Sequence, residues 1–170
     1  MKSVKAKKNP IAEDKGKLIC TDGHIHAYGE DAECTKARVA KIIYIGTTGH
    51  ATYKNGLALA LTDEPYTRKW EAAKTACNNK NTSTPVTDAT GLLASKDQWD
   101  YMMGASGAGS YTALRDGFSG ITGASNLQSG YYWSSTEDDS SYAKGCYFGS
   151  GKWYSVMKTS SLSVRACLAF

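Results

Sequence analysis

Apolar and polar residues alternate near both ends of the chain and follow a helical period in the middle. Short runs of alternating or β-branched apolar residues predict strands. These predicted strands are 16–19, 25–28, 37–46, 56–61, 131–135, 144–148, 152–157 and 164–168. Thr21-Asp22-Gly23 joins the first two as a hairpin turn, and Gly149-Ser150-Gly151 joins a later pair. Strands, then helices, then strands again indicate an α+β fold with a mainly antiparallel sheet.

Three helices are predicted between the two groups of strands. The first covers 67–78 and ends at Asn78-Asn79, a pair typical of helix ends. The second begins at Ser95, because the run SKDQ has the spacing of a capping box. A third, short helix covers 111–118, and the polar stretch 81–90 is predicted to be a loop.

Charge is concentrated at the start of the chain. Residues 1–17 carry six lysines and two carboxylates, which accounts for the formal net charge of +4. The remaining residues have no net charge, so the body is not expected to bind nucleic acid. Residues 1–15 therefore predict a flexible basic arm, followed by a single domain over 16–170. No transmembrane segment is predicted, because no run of roughly 20 apolar residues occurs, and no signal peptide is visible.

Motifs for catalysis or metal binding are weak. His24 and His26 alternate near Cys20, but this spacing does not match the usual structural zinc pattern. Glu137-Asp138-Asp139 lie together on one loop without a second acidic cluster, so we expect solvated carboxylates and no calcium site. Hydrolase, metalloprotease and nucleotide-binding motifs do not occur. The sequence therefore predicts a protein that is not an enzyme and has no cofactor and no metal.

The chain has an odd number of widely spaced cysteines: Cys20, Cys34, Cys77, Cys146 and Cys167. This pattern favours free, buried thiols over a disulfide scaffold. A single disulfide stays open as an alternative.

The last 40 residues have an unusual composition. Residues 131–170 contain nine Ser, five Tyr and three Gly, the mixture found in antibody paratopes. Tyrosine supplies rigid amphipathic contact area, whereas serine and glycine supply adaptable polar surface. The same composition also fits a Ser/Tyr-rich sheet face without a binding role, and this alternative stays open.

Three motifs in this region carry a family resemblance: YYWSSTE (131–137), FGSGKW (148–153) and SVRACLAF (163–170). With GLALAL (56–61) upstream, the chain resembles the variable proteins of diversity-generating retroelements, which have a C-type lectin-like fold. The resemblance covers most of 16–170. One segment departs from it, since 91–95 reads GLLAS where the family often has a WRLPS-like segment.

The resemblance implies which positions vary. Mutagenesis in this family acts on adenines, typically in AAC codons, and reaches Asp, Ser, Tyr and Gly but not Trp, Met, Lys or Glu. Under this hypothesis the fixed scaffold positions are Trp133, Glu137, Lys144, Lys152, Trp153, Met157 and Lys158. The candidate ligand-binding residues are Asp138, Asp139, Ser140, Ser141, Tyr142, Gly145, Tyr147, Gly149, Ser150, Tyr154, Ser155, Ser160 and Ser161.

The resemblance thus implies a ligand-binding protein with a hypervariable surface, displayed outside the cell, at the cell surface or on a phage particle. Its partner would be an unidentified surface protein or glycan. Tyr142, Tyr147 and Tyr154 are the expected anchors, with Asp138 and Asp139 setting polarity. Two alternatives stay open. One is a carbohydrate-binding lectin-like module of fixed specificity, although the EPN, QPD and WND motifs are absent. The other is an enzyme related to sulfatase-modifying proteins, for which only Cys146 and Cys167 could supply the cysteine pair.

Overall fold

A computed structural model describes residues 10–29, 37–107 and 110–170. Its elements, in chain order, are β1 (Leu18–Cys20), β2 (Ile25–His26), β3 (Arg38–Ile45), β4 (Gly56–Ala60), α1 (Trp70–Ser83), β5 (Thr90–Leu92), α2 (Lys96–Ala105), α3 (Tyr111–Arg115), β6 (Tyr131–Glu137), β7 (Tyr142–Tyr147), β8 (Lys152–Met157) and β9 (Cys167–Ala169). A short 3₁₀ helix over Ala12–Asp14 precedes β1. The predicted α+β class with antiparallel strands is confirmed.

The strands form two sheets within the described residues. A six-stranded sheet has the order β2-β1-β3-β4-β9-β5, and a three-stranded sheet has the order β6-β7-β8. All strand pairs in both sheets are antiparallel. The C-terminal strand β9 lies between β4 and β5, so the end of the chain is held in the larger sheet.

The first helix is longer than predicted. α1 continues through Asn78-Asn79 to Ser83, so part of the predicted loop 81–90 is helical. Asn81 explains the extension, because its side-chain amide donates to the Gly91 carbonyl and its oxygen accepts from the Gly91 N–H. This contact satisfies the hydrogen-bonding groups of the Asn81 side chain and joins the end of α1 to β5. The strand β5 is absent from the predicted elements.

Both chain ends differ from prediction in detail. The final strand is Cys167–Ala169, not 164–168, because only residues 167–169 pair with both β4 and β5. Near the start, Asp14 is fully buried and its carboxylate pairs with Lys17 at 2.9 Å. The chain therefore joins the fold before residue 16, where the arm was predicted to end. Residues 1–9 of that arm lie outside the described part.

The third helix is also shorter than predicted, over Tyr111–Arg115.

Arg165 joins the two sheets through a buried polar network. Its side chain is fully buried, and Nε donates to Asp63 at 2.6 Å. The same guanidinium donates to the backbone carbonyls of Ala60, Leu61, Ser125 and Asn126. The second Asp63 oxygen accepts the Tyr132 hydroxyl at 2.7 Å. Because Tyr132 lies in β6, this network fixes the smaller sheet against the end of β4.

Both possibilities left open for the cysteines, free buried thiols and a disulfide, occur in the structure. Cys77, Cys146 and Cys167 are free and buried, as predicted. Cys20, in contrast, is disulfide-bonded. Burial raises the pKa of the Cys77 and Cys146 thiols to about 12, so both are held in the neutral form. No helix in the described part of the chain is long and apolar enough to cross a membrane.

Candidate ligand-binding surface

The smaller sheet is a frame whose central residues are completely buried. Tyr132, Trp133, Ala143 and Cys146 each have 0% exposure. The Trp133 indole N–H donates to the Arg68 carbonyl at 2.7 Å, which fixes β6 against the segment that leads into α1. A buried aromatic ring with a satisfied donor holds one geometry, so the side chains at the edges of this sheet are presented from a rigid base.

The two faces of this sheet are covered at opposite ends. At the end near the β7–β8 turn, Cys146 and Tyr132 pack into the main core with Trp99 and Phe148. At the other end, Ala143 packs on the opposite face in a second cluster with Trp70 and Trp133. Since successive strand residues point to opposite faces, each end leaves a different face open to solvent.

A cluster of three tyrosines occupies the open face near the β7–β8 turn. Tyr131, Tyr147 and Tyr154 come one from each strand, and we call them the tyrosine cluster. The Tyr131 ring lies 4.7 Å from that of Tyr147 and 5.7 Å from that of Tyr154, centroid to centroid. Tyr131 is 39% exposed and Tyr154 is 41% exposed. These rings form a continuous aromatic surface with polar hydroxyl groups, the combination enriched in binding hot spots.

A hydrophilic group occupies the other end, on the opposite face. Lys144 donates to Asp138 at 2.8 Å and to Ser155 at 3.0 Å, and Ser155 also donates to Asp138. Tyr142 and Met157 are paired across the strands beside them, and both are exposed. We call these five residues the polar patch. Hydrogen bonds from Lys144 and then Ser155 lower the pKa of the Asp138 carboxyl, so it stays ionised to lower pH than an isolated aspartate.

The loop between β6 and β7 is held by its own acidic residues. The Asp139 carboxylate accepts the backbone N–H groups of Ser141 and Tyr142 at 2.7 and 2.9 Å. Lys158 pairs with Glu137 and also donates to the Ser140 carbonyl at 3.2 Å. The three carboxylates of 137–139 therefore hold lysines and backbone groups. No group of three metal-ligating side chains occurs among the described residues.

The structure divides the predicted site into two groups. Tyr147, Gly149, Ser150 and Tyr154 lie near the β7–β8 turn. The second group lies at the opposite end of the sheet: Asp138, Asp139, Ser140, Ser141, Tyr142, Ser155, Ser160 and Ser161. Tyr142 pairs with Met157, three positions from Tyr154, so these two expected anchors point to opposite faces. One flat ligand surface could not use both as neighbours, although they come from the adjacent strands β7 and β8.

Gly145 does not belong to the exposed set. It is buried, and a Cβ atom there would lie 3.1 Å from Leu162 and 3.2 Å from Val156. A side chain at this position would displace one of these residues. Gly149 is exposed, but a Cβ there would meet the Tyr147 ring at 2.5 Å. Gly145 thus serves the packing of the frame, and substitution of Gly149 requires movement of Tyr147.

Sequence reasoning missed two exposed members of this surface. Tyr131 contacts both other members of the tyrosine cluster, and Met157 is 51% exposed beside Tyr142. Tyr131 stands next to the buried Tyr132, so the strand alternation carried a signal for it. Met157 is predicted to be a scaffold position only because adenine mutagenesis does not produce methionine, and this says nothing about its burial.

Comparison with known proteins identifies the fold only. No family model matches the chain, and no curated protein matches it. Among solved structures, a fimbrial protein from Bacteroides ovatus has a similar fold, with a TM-score of 0.57 and 12% sequence identity. The alignment covers 91% of this chain and 48% of that protein, so the chain spans about half of its length.

Proposed function

We propose that this chain is a non-enzymatic ligand-binding protein that uses the open face of the β6–β7–β8 sheet at the tyrosine cluster as a replaceable recognition surface on a C-type lectin-like scaffold. The observation that carries the proposal is the contrast within one sheet. Tyr132, Trp133, Ala143 and Cys146 are completely buried, whereas in the tyrosine cluster beside them Tyr131 and Tyr154 are exposed and Tyr147 is half-buried. A packed frame with a solvent-facing aromatic group is what a binding repertoire requires.

Within this proposal the tyrosine cluster is the anchor, and the polar patch, which lies on the opposite face, is a separate set of exchangeable exposed positions. Few interface residues carry most of the binding free energy, and they are enriched in Tyr. Tyr131, Tyr147 and Tyr154 already contact one another, so their rings lose little freedom on binding. The exposed Lys144–Asp138 pair can set charge complementarity only for a ligand that contacts this opposite face.

Two observations support display outside the cytoplasm. Disulfides persist in oxidising compartments, and Cys20 is disulfide-bonded. The fold likeness to a fimbrial protein is consistent with a protein of the cell surface. The proposed location is therefore extracellular, at the cell surface or on a phage particle, and the proposed partner is a surface protein or glycan.

The retroelement hypothesis is tested in the neighbouring DNA. We expect a near-identical repeat of the codons for 138–161 beside a reverse-transcriptase gene. At the codons of exposed residues such as Tyr142, Tyr154 and Ser155, the repeat should have adenines where the gene has other bases. The codon of the buried Gly145 should be the same in both. Absence of a repeat, or adenine substitutions concentrated at buried positions, would contradict the proposal.

The binding role is tested by selection. A display library varies the tyrosine cluster and the polar patch and is selected against hen egg-white lysozyme as an arbitrary protein target. A matched library varies the same number of exposed residues on α1, such as Glu71, Thr75 and Asn79. We expect binders from the first library at a frequency at least 10-fold above the second. Equal frequencies would show that the C-terminal sheet has no special capacity for recognition.

A further inference from the structure

A cleft lies away from the tyrosine cluster and the polar patch. It is an open cleft of about 570 Å³ between α1, β5 and α2, closed on one side by the loop 48–50. Its size lies within the range of small-molecule sites, which is roughly 300–1,000 Å³. The sequence motifs did not indicate it, because its lining comes from four separate segments of the chain.

The walls of the cleft are fixed by hydrogen bonds. Asn81 holds the backbone of Gly91 through both its amide atoms. Gln98 accepts from the Ser95 N–H at 2.9 Å and donates to the Thr48 carbonyl at 3.0 Å. His50 Nδ1 accepts the backbone N–H groups of Thr52 and Tyr53, each at 3.1 Å. These contacts preorganise the cleft, so binding does not require the walls to become ordered.

Several polar groups in the cleft are left for a ligand. Within the described part of the chain, the side chains of Asn78, Asp97 and the Tyr101 hydroxyl make no hydrogen bond. Because His50 Nδ1 is an acceptor, the neutral ring carries its proton on Nε2. The cleft therefore offers donors and acceptors side by side. The cleft is also lined by a cation, Lys74, whose ammonium group is already paired with Glu71 at 3.0 Å.

An aromatic ring stands at the margin of the cleft. Tyr101 is 42% exposed and stacks on Tyr44, with centroids 5.4 Å apart and an interplanar angle of 18°. Stacking fixes the orientation of the ring, while a large part of it stays open to solvent. A saccharide has hydroxyl groups that both donate and accept, together with apolar C–H faces that pack on an aromatic ring.

We propose that this cleft binds a neutral saccharide of one or two rings, with Tyr101 as the stacking platform and Asn78, Asp97 and His50 as hydroxyl partners. The single unpaired carboxylate of Asp97 disfavours phosphate and other anions. An acidic cluster for calcium is absent from the described residues, so binding does not depend on that ion. The proposal does not rest on the recognition surface proposed above, because the two sites share no anchor residue.

The test is chemical-shift mapping of the full chain. The probes are methyl glycosides of glucose, galactose, mannose and N-acetylglucosamine, each with and without EDTA, and inorganic phosphate in a separate titration. We expect at least one glycoside to shift the amide signals of 91–101 and 48–50. Tyr101→Ala should weaken that binding at least 10-fold, whereas Tyr66→Ala, which removes a tyrosine 77% exposed elsewhere, should not.

Several results would overturn the inference. These are no shift with any glycoside, shifts with phosphate alone, or loss of binding in EDTA. Equal weakening by Tyr101→Ala and Tyr66→Ala would also contradict it. Shifts confined to the tyrosine cluster would refute the cleft as the saccharide site while leaving the proposed recognition surface intact.

Discussion

Two ion pairs near the smaller sheet allow a direct test of which residues form the frame. Arg165 pairs with Asp63 at 2.6 Å, and its side chain has 0% exposure. Lys144 pairs with Asp138 at 2.8 Å, and the two side chains are 28% and 31% exposed. Replacement of either cation by methionine keeps a long apolar side chain and removes the charge. The two variants therefore differ mainly in burial.

The expected effects differ in size. Arg165→Met leaves the Asp63 carboxylate without its cation and removes donors from four backbone carbonyls. Loss of one partner from a buried pair costs about 3–5 kcal/mol. At about 2–4 °C per kcal/mol for a chain of this size, the melting temperature should fall by roughly 6–20 °C. Lys144→Met should leave it within experimental error, because solvent replaces the lost contacts.

The assay is urea unfolding followed by circular dichroism, with melting temperatures from calorimetry. If Arg165→Met does not fold, Arg165→Lys keeps the charge, loses the planar set of donors and should give an intermediate loss. Equal losses for Arg165→Met and Lys144→Met would refute the reasoning, since the polar patch would then be part of the frame.

Three further predictions concern the frame and its buried groups. Ser95→Ala removes the cap of α2 and should cost about 1 kcal/mol in urea unfolding; no loss would contradict the capping role. Gly145→Val should destabilise by about 1–3 kcal/mol through steric overlap, whereas Gly104→Ala in open space should be neutral or stabilising; the reverse order would refute the packing argument. The raised pKa of Cys77 and Cys146 keeps both thiols protonated in the native state, while unfolded thiols ionise near pH 8.5. The free energy of unfolding should therefore fall above about pH 9, by about 1.4 kcal/mol per pH unit for each thiol, and iodoacetamide should label both only on unfolding; labelling of the native protein at pH 8 would contradict their burial.

Local features of the fold could be predicted because their causes are local. The capping box at Ser95 needs only residues three positions apart, and both of its hydrogen bonds form. The β1–β2 hairpin follows from its turn residues. The end of α1 could not be predicted in the same way. The Asn81 side chain bonds to Gly91, and Gly91 lies in β5, which is placed by its pairing with β9 and not by the helix itself.

In the candidate surface, too, some features could be predicted from local sequence and others depend on contacts between strands. Composition located it in the last 40 residues, where exposed tyrosines and serines do lie. Which tyrosines are neighbours depends on the pairing register of β7 and β8, a property that alternation within one strand does not determine. The register places Tyr131, Tyr147 and Tyr154 together and separates Tyr142 from them.

A fixed frame and exchangeable exposed positions in the smaller sheet are the property on which ligand binding at this site depends. The most direct measurement is the melting temperature of single-site saturation variants at two sets of positions within the same strands. The exposed set is Tyr131, Tyr142, Tyr154 and Ser155, and the buried set is Tyr132, Trp133, Ala143 and Cys146. We predict that most exposed-set variants melt within about 2 °C of the parent, since surface substitutions usually change stability by about 0.5 kcal/mol, and that most buried-set variants do not. Similar losses in both sets would contradict the account, because the exposed tyrosines would then be structural.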